Sequence, residues 1–149
     1  MNDVKGYISV IGIGILFSII NEIILSHNKN FLNRTTLFGN IIRLVFLNIY
    51  VYILLLITLF LQWLGKKRVK ELLSSKEGNL LIFIFLFLFI SIFECIVGNI
   101  SLIYYSTQTW KYKPNYLTLC KGYVSVVSSL YFTAVLYVFI KFIYPKLFM

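Results

Sequence analysis

The stretch 79–105, "NLLIFIFLFLFISIFECIVGNISLIYY", decides the fold. Between Asn79 and Glu94 the only polar residue is Ser91. An uncharged run of this length reads as a bilayer crossing, which takes about 20 apolar residues as a helix. Glu94 then stands inside the run. A charged side chain at the bilayer centre costs about 2.5–3.5 kcal/mol on insertion scales, so a carboxyl there needs a reason.

Three further apolar runs flank this one. The expected spans are Gly6–Ser26, Leu37–Leu64, Asn79–Tyr105 and Tyr123–Tyr144. They use most of the 149 residues, of which 60% are hydrophobic, at a mean hydropathy of +0.88. Soluble domains are nearer half apolar. The expected fold class is an all-α integral membrane protein, with four transmembrane helices joined by short loops in a single membrane domain over 1–149. Function must then reside in the helices or the loops. Five residues, Asp3 among them, precede the first run, and it has no A-x-A cleavage site. A retained first helix is expected rather than a removed leader. The chain has one alanine, Ala134, and abounds in Ile, Leu, Phe, Tyr, Asn and Lys. That usage follows AT-rich codons and leans toward an organelle-encoded chain.

The net charge is +9. In a soluble protein that would suggest nucleic acid. Here the basic residues sit at span edges, Lys66, Lys67, Arg68, Lys70 and Lys76 in one loop and Lys111, Lys113 and Lys121 in another. They read as contacts with membrane lipids and as topology signals, with no nucleic acid partner. If the loops alternate sides, eight basic residues share the side of both termini and six lie opposite. The positive-inside rule then places both termini inside by a small margin. Cys95 and Cys120 form no C-x-x-C or zinc pattern, and His27 has no partner at ligand spacing. No cofactor or metal site is expected within this chain. No phosphate-binding glycine loop, H-E-x-x-H or Ser-His-Asp set occurs. The glycines of "GIGI" at 12–15 read as a close packing point between helices.

At a 3.6-residue period Ser91, Glu94, Gly98, Ser101 and Tyr105 share one face of the third helix. A carboxyl flanked by hydroxyls and a small residue should face another helix or a wet cavity. Such a group is a candidate for taking and releasing a proton; the plainer reading is a hydrogen bond that holds a neighbouring helix. In the first helix Gly14, Ser18, Glu22 and Ser26 form a shorter stripe, with Asn21 beside it. The second helix opens with Asn40 and Arg43. Glu22 and Arg43 fall at similar depths in antiparallel neighbours, so an interhelical ion pair is expected. Its alternative is an Arg43 that snorkels to headgroups alone.

"FECIVGNISLIYYS", with Glu94, Val97 and Gly98, resembles the last membrane helix of the NADH dehydrogenase subunit 4L family, the small membrane subunit of respiratory complex I. "VIGIGILFSII" and "NKNFLNRTTLFGNIIRLVFLNIYV" are similar in outline to the family's first helix and to its basic loop and second helix. The resemblance covers residues 6–106 and leaves 107–149 as an extension with a fourth helix. It implies a proton-translocating, non-redox subunit of NADH:ubiquinone oxidoreductase in the mitochondrial inner membrane. Glu94 would be the proton-relay residue, Glu22 a further relay or ion-pair member, and Arg43 its partner, with Ser91, Gly98, Ser101 and Tyr105 in support. NADH, FMN, iron–sulfur clusters and ubiquinone would be held by other subunits, and the neighbours would be of the subunit 6, subunit 3 and subunit 2 types. The family's second-helix glutamate has no counterpart here, since the aligned place falls at or near Arg43. The alternative is a structural membrane subunit of another respiratory complex or of ATP synthase.

Overall fold

The computed structural model describes residues 3–25, 29–31, 49–105, 110–112 and 117–149, with backbone alone at 21–25, 29–31, 49, 101, 104–105 and 110. The chain runs α1 (Asp3–Leu25), β1 (Lys29–Phe31), α2 (Ile49–Leu64), α3 (Lys66–Ser74), α4 (Lys76–Tyr105), β2 (Trp110–Tyr112), β3 (Thr118–Leu119), β4 (Val124–Ser125), α5 (Val126–Val138) and α6 (Tyr144–Phe148). A single turn of 3-10 helix, Cys120–Gly122, links β3 to β4, and a π-turn, Phe139–Ile143, links α5 to α6.

Among the described residues three segments are long and apolar enough to cross a bilayer alone, Asp3–Ile20, Lys76–Ile100 and Val126–Phe148. The expected second span, Leu37–Leu64, is described from Ile49 onward and meets α3 at a bend of 103°. Gly65 makes that bend with φ +84°, a conformation costly for residues bearing a Cβ. Ser75 starts α4 by accepting the Gly78 N–H on its Oγ at 3.0 Å, so α4 begins three residues before the expected Asn79. The fourth span begins at Val126 instead of Tyr123. Ser125 caps it, its Oγ taking the Ser128 N–H at 3.4 Å, and Tyr123 belongs to the turn before it. Near its end, Pro145 brings no N–H and crowds the carbonyl four residues back; the widened turn over Phe139–Ile143 accommodates this without stopping the helix.

The helices pack as two hairpins, α1 on α2 and α4 on α5, with α3 folded back on α4. One core joins them, with Val10 from α1, Leu54 and Ile57 from α2, Leu86 and Ile90 from α4, and Phe132 and Leu136 from α5. On the outside of α4, Leu80, Ile84, Leu88, Ile92, Ile96 and Ile100 are exposed at four-residue intervals. A continuous apolar stripe of that length is untenable in water and is natural against lipid. Asn79 and Asn99 lie twenty positions apart, which brackets roughly 30 Å of helix, the thickness of the hydrocarbon core.

The two ends of the bundle differ. One end collects the start of α1, α3 and the chain's C-terminal turns: Tyr7 donates to Gln62 Oε1, and its ring meets Phe148 edge-on at 5.5 Å. This is the basic end. The other end carries two small antiparallel sheets that the sequence did not suggest. β1 pairs with β2 through Lys29–Tyr112, Asn30–Lys111 and Phe31–Trp110, and β3 pairs with β4. This is the capped end. The protein is mostly helical, and these short ladders are confined to the cap.

Of the two glycines in "GIGI", only Gly14 is a packing point. A Cβ there would lie 2.8 Å from Val51 Cγ2 and 3.0 Å from Val51 Cα, whereas one at Gly12 would meet nothing within 4 Å. Gly14→Ala should therefore push α1 off α2 and lower stability by about 1–3 kcal/mol. Gly12→Ala should stay within about 0.5 kcal/mol of the parent. Unfolding of the purified chain in detergent checks the pair, and equal effects would show that α1 and α2 do not meet at Gly14.

Candidate functional site at Glu94

Glu94 is 4% exposed, although its helix faces lipid along the opposite side. It stands about 22 Å along α4 from Asn79, so it lies in the capped-end third of the hydrocarbon slab rather than at its centre. Its Oε1 accepts the Tyr112 O–H at 3.2 Å. Tyr112 is 1% exposed and sits on β2, so this hydrogen bond comes from the cap. Beside Glu94 is a narrow cavity where α1, α2, α4 and α5 converge, lined by Phe17, Tyr50, Ile53, Ile90, Phe132 and Leu136 as well as Glu94. The space open to the centre of a water is about 10 Å³, roughly what one water needs. Phe17, Tyr50 and Phe132 pack on one another with ring centroids 5.1–6.1 Å apart.

The cap is fastened to α4 in two ways. Cys95, next to Glu94, is disulfide-bonded to Cys120. Asn99, one turn on, donates its Nδ2 to Cys95 O at 2.8 Å and approaches Cys120 Sγ at 3.3 Å. One residue before Asn99, Gly98 lies against Tyr123, and a Cβ at Gly98 would come within 2.3 Å of that ring. Tyr123 is fully buried. Burial pushes its phenol above the ordinary tyrosine range, since the phenolate would lose its hydration, so it stands there as a neutral hydroxyl.

The expected face of the third helix is thus realised in part. Ser91 Oγ meets Ser129 Oγ of α5 at 3.2 Å, and Thr133 Oγ1 donates to Ser129 O at 2.7 Å. Glu94 and Gly98 turn inward beneath the cap. Ser101 and Tyr105 are on α4, and Glu22 is on α1, but their side chains lie outside the described residues. Arg43 also lies outside them, as do Ser26 and Asn40. Ser18 is buried below Glu22. Sequence reasoning missed Tyr112, Tyr123, Asn99 and the Cys95–Cys120 bond. The even cysteine count was the available signal, since two cysteines near the same end of one helical hairpin are free to pair. Among the described residues no three of His, Cys, Asp and Glu gather as metal ligands.

These elements define a helical, multi-spanning membrane protein whose buried carboxyl is closed off by a disulfide-tied cap. Its family can also be given. The profile of the family described as "Putative ABC-transporter type IV" matches residues 7–149, and the chain belongs to that family. No curated protein and no solved structure matches it.

This assignment corrects the resemblance to the small complex I subunit. The match runs through α5 to the last residue, whereas the complex I resemblance stopped at residue 106. The E-x-x-V-G pattern also has a local cause here, since Gly98 makes room for the Tyr123 ring. A proton-translocating role in NADH:ubiquinone oxidoreductase is overturned, and with it the neighbours of the subunit 6, 3 and 2 types. The alternative of a structural subunit of another respiratory complex or ATP synthase falls to the same match. The location that stands is a membrane; the mitochondrial inner membrane rested on the complex I resemblance and on residue usage, and is not carried forward.

The cap makes a direct prediction. The denatured chain should react with no maleimide before reduction and with two equivalents after it. Cys120→Ser should lower stability by about 3.5 kcal/mol, the loop-closure value for the 25-residue separation. A finding of two free thiols in the unreduced native chain would remove the tether.

Proposed function

We propose that this chain is a membrane-spanning, nucleotide-free component of an ABC-type transport system, acting as one membrane unit over residues 1–149. The family match across 7–149 carries this reading. Such systems couple ATP hydrolysis to transport. Residues 1–149 hold no glycine-rich phosphate loop, and we place nucleotide binding and hydrolysis outside them. What this chain supplies is a helix bundle with a polar point inside it.

That point is Glu94. It faces a cavity shared by α1, α2, α4 and α5, and it accepts a hydrogen bond from Tyr112 of the disulfide-tied cap. The site therefore has the form of a closed outer gate above a buried carboxyl. Ser91 and Ser129 continue the polar line toward the basic end. Glu22 and Arg43 remain proposed as an ion pair near the capped end, with Ser101 and Tyr105 as further supporting groups on α4.

Orientation follows from two independent chemistries. Disulfides persist on the oxidising side of a membrane, which puts the Cys95–Cys120 end outside. Basic residues are retained inside, which puts α3 and both described ends of the chain in the cytoplasm. The two arguments agree, and they strengthen the thin margin of the charge count alone.

The test is affinity purification of the tagged chain from native membranes in mild detergent. A co-eluting chain with a phosphate loop and ATPase activity is the expected result. In that complex Glu94→Gln should leave the association intact and change the ATPase rate severalfold, while Lys5→Gln should not. Elution of the chain alone, with no ATPase under conditions that preserve other membrane complexes, would overturn the reading. An unchanged ATPase rate in Glu94→Gln would remove Glu94 from the mechanism.

A further inference from the structure

Helix α3 is too short and too polar to cross a bilayer. Nine residues long, it leaves α2 at 103°, so it runs along the membrane plane when α2 crosses it. Its sequence is "KKRVKELLS". Val69 is fully buried, and Leu72 and Leu73 pack against the core. Lys66, Lys67, Arg68, Lys70, Glu71 and Ser74 are exposed. At 100° per residue, Lys66, Lys70, Ser74 and Lys67 fall within one quadrant opposite Leu72. No ion pair engages these lysines among the described residues. The start of α3 has no side-chain cap, so its first N–H groups add partial positive charge to that quadrant.

The surroundings set the depth. Trp63, 78% exposed, is the penultimate residue of α2, where interfacial tryptophans sit at headgroup level. Leu80 and Leu81 of α4 are exposed just beyond the helix turn and enter the hydrocarbon. The lysines are thus held at the level of lipid phosphates. The basic end as a whole carries Lys5, Lys66, Lys67, Arg68, Lys70, Lys76, Lys141 and Lys146 against Asp3, Glu71 and Glu77.

We infer that the Lys66–Lys67–Lys70 face of α3 binds the phosphates of anionic phospholipids in the adjoining leaflet, and that α3 is an interfacial clamp on the bundle. A protein partner is the less favoured occupant of this face. Stable protein interfaces centre on buried aromatic or aliphatic anchors, and every exposed residue of α3 is charged or a serine. An anionic bilayer needs no such anchor, and each lysine near it adds attraction. This inference is independent of the transport reading, because it needs no nucleotide and no partner.

The experiment reconstitutes the full chain into vesicles of equal phosphatidylglycerol and phosphatidylcholine, extracts it gently, and counts retained lipids by native mass spectrometry. Phosphatidylglycerol should be enriched about fivefold or more over phosphatidylcholine. Lys66→Gln/Lys67→Gln/Lys70→Gln, all at exposed positions, should remove most of that enrichment. Lys111→Gln, at the capped end, should leave it in place. A second reading is the melting temperature in detergent, which added phosphatidylglycerol should raise for the parent and not for the triple variant. Equal retention of the two lipids, or enrichment unchanged in the triple variant, overturns the inference. So does an equal rise in melting temperature with inorganic phosphate, which would mark the face as a site for the free anion. Loss of a co-purifying protein in the triple variant with lipid enrichment unchanged would assign the face to that protein instead.

Discussion

A carboxyl group placed among four apolar helices must find its hydrogen bonds within the protein, because neither lipid nor hydrocarbon side chains can supply them. In this chain the donor at Glu94 comes from Tyr112, on a strand that follows the helix carrying the glutamate. That single requirement explains much of the capped end. The segment after α4 must fold back over the bundle, and it does so as short paired strands, which satisfy their own backbone groups. It must also stay there, and the Cys95–Cys120 bond, Asn99 and the Gly98–Tyr123 contact all hold it within a turn or so of Glu94.

The basic end solves a lesser problem with weaker means. Asn79 accepts the Tyr137 O–H at 2.6 Å, and the Lys141 ammonium donates to Tyr137 Oη at 3.1 Å. Asn79 Nδ2 turns back to Ser75 O at 2.6 Å. The network joins α4 to α5 with side chains that reach toward water, where each bond contributes about 1 kcal/mol. No covalent tie is described at this end. The bundle is accordingly fixed at one end and held by ordinary polar contacts at the other.

The sequence shows the spans well, because apolar length needs no knowledge of partners. The exposed i, i+4 stripe of α4 and the inward turn of Glu94 follow from helical period alone. The breaks were harder to see. Gly65 bends the chain because of its positive φ, and nothing in "QWLGKKR" distinguishes that bend from a loop. The cap was not legible either. Its strands are two or three residues long, too short for alternation to register, and their pairing joins residues 29–31 with 110–112 across α2, α3 and α4. The complex I resemblance failed for a related reason. Five positions in an oily helix are compatible with any fold that buries a glutamate beside a small residue, and here the small residue answers to Tyr123.

The packing also constrains how the site could open. α1 and α2 are held in close contact by Gly14 against Val51, and α4 is tied to the lead-in of α5 by a disulfide. Each hairpin is therefore stiff within itself. The Glu94 cavity lies between them, with Phe17, Tyr50 and Ile53 from one hairpin and Ile90, Phe132 and Leu136 from the other. A motion that widened it would separate hairpin from hairpin and leave each intact. The short β1–β2 ladder crosses that boundary at the capped end, joining the segment after α1 to the one before α5. Three residue pairs are a small barrier compared with a covalent bond, and they sit directly above the carboxyl. Tyr112 belongs to that ladder, so the strand whose pairing would have to yield is the one that carries the hydroxyl closing Glu94. Tyr112 and Glu94 both lie on the α4–α5 side of that boundary, so separating the hairpins would break the β1–β2 ladder and open the cavity while the disulfide keeps the cap, with its hydroxyl on Glu94, on α4 and α5.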